Sequence, residues 1–158
     1  MNSDWFWTIF WSVVPVSELR GAIPFALSKD LNPLLVYIVA VGSNAMAFPI
    51  VYLFLGRIHP LFIKREWYRS LFDKFVVRTR RKLEKQIEKY GFWGLLIFVM
   101  IPLPVTGAYT GSLAAWIFDI DKKKSFLAVV LGVMISGLIV TTVFLSGVKV
   151  FDLFMKTV

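Results

Sequence analysis

The chain has 158 residues, 58% of them apolar, a formal charge of +8 and a mean hydropathy of +0.71. Soluble domains run at about 45–50% apolar, so this composition excludes an ordinary soluble domain and points to a single membrane domain over residues 1–158. There is no cysteine, which excludes disulfides, thiolate metal sites and cysteine nucleophiles. The start carries Asp4 and no Lys or Arg, so a cleavable signal peptide is not expected.

The first element is an aromatic apolar arm, Trp5–Val14. It runs into Pro15-Val-Ser-Glu-Leu-Arg-Gly-Ala-Ile-Pro24, in which Glu18 and Arg20 are flanked by uncharged residues from Trp5 to Ser17 and from Gly21 to Ser28. A charge at bilayer depth costs roughly 2.5–3.5 kcal/mol or more, so it normally faces protein or water and marks function. Pro15, Gly21 and Pro24 predict a broken backbone, which membrane interiors tolerate only inside protein or beside a water-filled cavity. Glu18 and Arg20 are not neighbours on a regular helix, and the break frees them from that geometry. One reading makes them an ion pair that only stabilises the segment. The other makes Glu18, beside Ser17, a carboxylate that takes and releases a proton, with Arg20 holding an anionic headgroup in its planar fork.

Leu31–Gly56 is 26 residues without a charge, and a first full span is expected over Leu34–Gly56. Asn44 within it reads as an interhelical hydrogen bond rather than a ligand. His59, just before Pro60, reads as interfacial rather than metal-binding. Residues 57–90 contain eleven Lys or Arg against four Asp or Glu, nearly all of the net charge. Beside membrane spans such a stretch follows the positive-inside rule, so no nucleic acid is expected. Trp67, Leu71, Phe72, Phe75, Val76, Leu83 and Ile87 recur at helical spacing, which predicts a basic amphipathic cytoplasmic linker on an anionic leaflet.

Tyr90–Phe118 is again uncharged, but Pro102, Pro104, Gly107 and Gly111 puncture it. Thr106, Tyr109 and Thr110 offer hydroxyls there, and half-helix N-termini would aim amides at an anion. The alternative is a kinked helix packing through Gly107-x-x-x-Gly111. Ser125–Val148 predicts a second span of about 36 Å, against a hydrocarbon core of about 30 Å, with Ser136 as an interhelical hydrogen bond.

The two halves, 1–56 and 91–158, share one order of pieces: apolar arm, Pro-rich break, short apolar arm, polar turn, long span. In the first half these are Trp5–Val14, Pro15–Pro24, Phe25–Ser28, Lys29–Pro33 and Leu34–Gly56. In the second they are Phe92–Ile101, Pro102–Gly111, Ser112–Phe118, Asp119–Lys124 and Ser125–Gly147. If each broken segment dips in and returns, Lys122, Lys123 and Lys124 fall on the cytoplasmic side with residues 57–90. If each crosses, they fall outside, against the positive-inside rule. Trp5 to Ser17, about 20 Å as a helix, passes the midplane without crossing. The expected fold is therefore all-α: an inverted repeat of two re-entrant hairpins, each followed by a full span. A four-span arrangement is the alternative.

No phosphate-binding glycine loop, paired histidines or Ser/His/Asp set is present, so neither an enzyme, a cofactor nor a metal is expected. Uphill transport would have to use an ion gradient. Two full spans are thin for a transporter, which makes a homodimer an expectation.

The segments Pro15–Pro24 and Ile101-Pro-Leu-Pro-Val-Thr-Gly-Ala-Tyr-Thr-Gly111 resemble the small multidrug export protein family, which is similar to a branch of the DedA/VTT superfamily. That resemblance covers nearly the whole chain. It implies two oppositely oriented re-entrant hairpins and a lipid-handling role in the cytoplasmic membrane. The lipid implied is an anionic polyprenyl (undecaprenyl-type) phosphate, moved with a proton or sodium gradient. The family's acidic residue matches Glu18. DedA-type relatives also carry arginine in and after the second hairpin, where this chain has Pro102, Pro104, Thr106 and Tyr109; Arg20 would supply that charge from the first. The rivals are a small exporter of hydrophobic cations using Glu18 alone, and a non-transporting scaffold acting through residues 57–90.

Overall fold

The computed structural model describes residues 3–103 and 106–156, with side chains omitted at 82, 86, 88 and 148–156. Pro104 lies outside the described residues. Among the described residues, every regular element is helical.

Helix α1 (Ser3–Val13) stops just before Val14-Pro15. A residue ahead of proline is pushed out of the helical region. The chain reverses in four residues, with the Ser17 and Glu18 amides both donating to the Val14 carbonyl at 3.1 and 3.0 Å. Helix α2 (Glu18–Leu27) then begins on Glu18 itself, at φ +48°. The break is thus shorter than the expected Pro15–Pro24, and Gly21 and Pro24 lie inside α2. Gly21 is accommodated because the Ser17 hydroxyl occupies the space a Cβ would need. Pro24 is carried because Ala22, Ile23 and Ala26 are completely buried, and packing of that kind outweighs local propensity.

Each half then makes the same turn. Asp30 (φ +56°) and Asp119 (φ +51°) adopt the left-handed conformation, which Asp tolerates better than most residues. Two residues on, Asn32 Oδ1 accepts the Leu34 and Leu35 amides at 3.0 and 3.3 Å. Asp121 Oδ1 accepts the Lys123 and Lys124 amides at 3.1 and 3.0 Å. These caps open the two long helical stretches.

The first stretch runs Pro33–Phe62. It consists of α3 (Pro33–Ala45), α4 (Ala47–Leu53), a π-helical turn (Phe54–Ile58) and α5 (His59–Phe62). Pro49 and Pro60 each remove a helical donor, and the π turn, with the His59 amide donating to Phe54, leads into Pro60. The second stretch is α9 (Lys122–Lys156), whose Lys122–Gly147 portion is long and apolar enough to cross a bilayer. Between them lie α6 (Glu66–Tyr90), α7 (Phe92–Met100) and α8 (Ala108–Ile117).

The packing partners are matched between halves. Helix α1 packs on α3 as α7 packs on α9, and α2 packs on α9 as α8 packs on α4. Ile23, Leu95, Val36, Val99, Val129 and Val133 fill the shared centre. Gly111, expected at the second break, lies within α8. It and Gly132 let α8 and α9 close on Val99, whose side chain stands where their Cβ atoms would be. At one end of the bundle Phe48 meets Phe126 (5.4 Å between ring centres), His59 meets Trp116 (5.7 Å), and Arg80 donates to the Ile117 carbonyl (3.4 Å). The start of α9 therefore lies at the same end as the basic helix α6. His59 is buried within the protein, with Nδ1 3.0 Å from the Tyr68 hydroxyl. Helix α6 buries Leu83 and Ile87 and leaves Trp67, Leu71 and Phe75 exposed.

Candidate functional site

The two breaks meet at the centre of the bundle, and Glu18 lies at their contact. Its side chain is 7% exposed. Oε1 accepts the Tyr109 amide at 3.3 Å, so the carboxylate sits on the first turn of α8, where unpaired amides and the helix dipole favour negative charge. Gly107 lies against it at φ +142°, and a Cβ there would overlap the carboxylate. Only glycine suits both the backbone angle and the close approach.

Arg20 lies 3.7 Å from Glu18 Oε2. Its guanidinium also donates to the carbonyls of Leu103 and Thr106 in the second break. A planar fork with five donors can hold two carbonyls and face a carboxylate at once. The Thr106 hydroxyl braces the same loop, 2.7 and 2.8 Å from the Ile101 and Leu103 carbonyls, and accepts the Leu103 amide at 3.1 Å.

The reverse direction is also occupied. Helix α1 ends on carbonyls that no helical amide reaches. Asn44 Nδ2 donates to Ser12 at 2.8 Å, and the Tyr109 hydroxyl donates to Val13 at 2.5 Å. Ser136 and Asn44 line a cavity of about 10 Å³ beside Glu18 and Arg20, enough for a single water.

Of the residues expected from sequence, the structure brings Glu18, Arg20, Thr106, Tyr109 and Gly107 together. Pro15 and Pro102 lie in the two breaks. Ser17 packs on Gly21 instead of the carboxylate. Thr110, with Oγ1 3.4 Å from the Gly107 carbonyl, points away toward α6, where it lines a separate cleft. Asn44 forms the interhelical bond expected of it. Sequence reasoning missed the backbone acceptors, Leu103 and the last carbonyls of α1, because every residue carries a carbonyl. Among the described residues, no three His, Asp or Glu side chains cluster as a metal site would need.

Two helical stretches are long and apolar enough to cross a bilayer, and two broken segments meet at the Glu18–Arg20 pair. The chain belongs to the family described as "Putative small multi-drug export protein", whose model matches residues 18–139, well over half of the chain. The matched stretch begins on Glu18 and takes in Arg20, the second break and most of the membrane-crossing part of α9. No curated protein and no solved structure matches the chain.

Proposed function

We propose that this protein is an ion-coupled transporter of the cytoplasmic membrane that moves an anionic lipid, of the polyprenyl phosphate type, between leaflets. The carrying observation is the pair at the contact of the breaks: a shut-in carboxylate, Glu18, and a partly open guanidinium, Arg20, each held by backbone of the other half. In this reading Glu18 takes and releases the coupling proton, or binds the sodium ion. Arg20 receives the phosphate by exchanging its hold on the Leu103 and Thr106 carbonyls. The small cavity beside them is the water-sized part of the passage.

The likeness of the two halves supports this reading. The matched packing partners and the Asp30/Asn32 and Asp119/Asp121 turns are what two copies of one design in opposite orientation would give. Residues 101–103 and 106–107 then belong to the tip of a re-entrant hairpin. The location of Lys122 at the α6 end is what a segment that dips in and returns would produce, with both basic regions cytoplasmic. Arms of 9, 10 and 11 residues, about 14–17 Å each, are half the length needed to cross.

The family description favours a second reading, export of a hydrophobic cation exchanged for the proton on Glu18. The charges weigh against it. Arg20, 26% exposed, is the charged group that opens on an apolar cleft, while Glu18 is enclosed. The discriminating experiment is flux in proteoliposomes with a polyprenyl phosphate or a lipophilic cation, for wild type, Glu18→Gln and Arg20→Lys. The lipid reading expects phosphate-lipid movement that both substitutions depress. Cation movement that Arg20→Lys leaves intact would transfer the function to the second reading.

A further inference from the structure

Two clefts flank the Glu18–Arg20 contact on opposite sides along the bundle axis. One, of about 610 Å³, lies toward the α6 end; the other, of about 270 Å³, lies toward the opposite end. Their walls are built to one rule. Each is lined by the break proline of one half, the far turns of that half's long helix, and the post-break helix of the other half. For the larger these are Pro15, then Phe54, then Thr110 and Leu113. For the smaller they are Pro102, then Val143, then Arg20 and Pro24. Helix α6 breaks the match by laying Trp67, Phe72 and Phe75 over the larger cleft. Both clefts touch the central site: the larger through Tyr109, whose amide holds Glu18, and the smaller through Arg20 itself.

We propose that these clefts are the paired inner-leaflet and outer-leaflet seats for the hydrocarbon chain of one anionic amphiphile. This rests on the transporter reading above. The larger cleft is within the range of small-molecule pockets, roughly 300–1,000 Å³, and the smaller is just below it. The occupant follows from charge and lining together. The smaller cleft ends on the Arg20 guanidinium, and the larger, whose lining carries no charged side chain, reaches the same central pair through Tyr109. An apolar body therefore has walls to lie on at either end, and its negative head has a cation. A lipophilic cation in the smaller cleft would meet the Arg20 charge. The larger volume at the α6 end comes with the extra wall that α6 supplies, and both clefts open to the outside of the bundle while the Glu18–Arg20 contact between them stays closed.

The cysteine-free chain makes the test direct. Leu113→Cys places one thiol in the larger cleft and Val143→Cys one in the smaller. Leu138→Cys, on an exposed stretch of α9 lining neither cleft, is the reference. Each full-length variant is placed in phosphatidylcholine vesicles and reacted with a membrane-permeant maleimide, alone, with a polyprenyl monophosphate, or with tetraphenylphosphonium. The expected result is that saturating phosphate lipid slows labelling at both 113 and 143, by about twofold at each where one molecule divides its time equally between the two seats, and leaves 138 unchanged. Equal slowing at all three sites, at none, or at only one cleft overturns the pairing. Protection by tetraphenylphosphonium and not by the phosphate lipid overturns the anionic occupant. Because protection reads binding and not flux, slowing at both clefts without lipid movement would retain the clefts and reject the transport reading.

Discussion

The two breaks solve the same problem with opposite means. The first is a four-residue reversal, Val14–Ser17, followed at once by Glu18 and Arg20 on the first turn of α2; the second lies between Met100 and Ala108 and carries no charge. Both leave helix ends whose backbone groups lack partners. The first break supplies side chains, and the second supplies the carbonyls of Leu103 and Thr106 and the amide of Tyr109 that receive them. The uncharged break is therefore the receptor for the charged one. A pair of identical charged tips would place like charges together in the interior of the bundle, at a cost the asymmetric pair avoids.

The strongest way to break this division of labour is Arg20→Gln. It strands two carbonyls and leaves Glu18 without its cation, so a loss of about 3–5 kcal/mol is expected, read as a lowered denaturant midpoint in detergent. A change too small to measure would mean that the second break holds itself. Gly107→Ala strikes the receptor side. Both its positive φ and the overlap with Glu18 act against it, and strained backbone of this kind costs about 1–3 kcal/mol. Gly42→Ala is the control: nothing lies within 4 Å of its would-be Cβ, and a helix-interior glycine replaced by alanine gains about 0.5–1 kcal/mol. Equal effects at the two glycines would contradict the close approach at 107.

Asn44→Val sharpens the comparison from the other end. It removes the donor to the buried end of α1, leaves the Ser12 carbonyl unpaired, and should cost about 1–3 kcal/mol by the same unfolding measurement. Tyr109→Phe is the mildest. It deletes one hydrogen bond, to Val13, while keeping the amide on Glu18, so about 0.5–1.5 kcal/mol is expected. A loss at Tyr109 as large as at Arg20 would show the side chain, not the amide, to be the main tie between the breaks.

Much of the fold was legible in the sequence because its signals are coarse and physical. Long uncharged runs set the two spans, prolines marked the breaks, and the recurrence of Trp67, Leu71 and Phe75 marked α6. Charge isolated among apolar residues singled out Glu18 and Arg20. The extent of α2 was not legible, since Gly21 and Pro24 read as breakers while the burial of Ala22, Ile23 and Ala26 keeps them helical. Nor was the partnership of Arg20 with residues more than eighty positions away, because its acceptors are main-chain carbonyls with no side-chain signature. The polar turns Lys29–Pro33 and Asp119–Lys124 were matched as pieces, and within them Asp30-Leu-Asn32 and Asp119-Ile-Asp121 prove to be the same turn, a likeness more specific than the apolar echoes.

The most direct test of the central claim is polyprenyl phosphate movement in proteoliposomes under an imposed pH gradient, for wild type and Glu18→Gln shown to be folded. Acceleration by the gradient in wild type and its loss in Glu18→Gln is the predicted result. Gradient-driven movement that persists in Glu18→Gln would contradict the assignment of Glu18 as the coupling group.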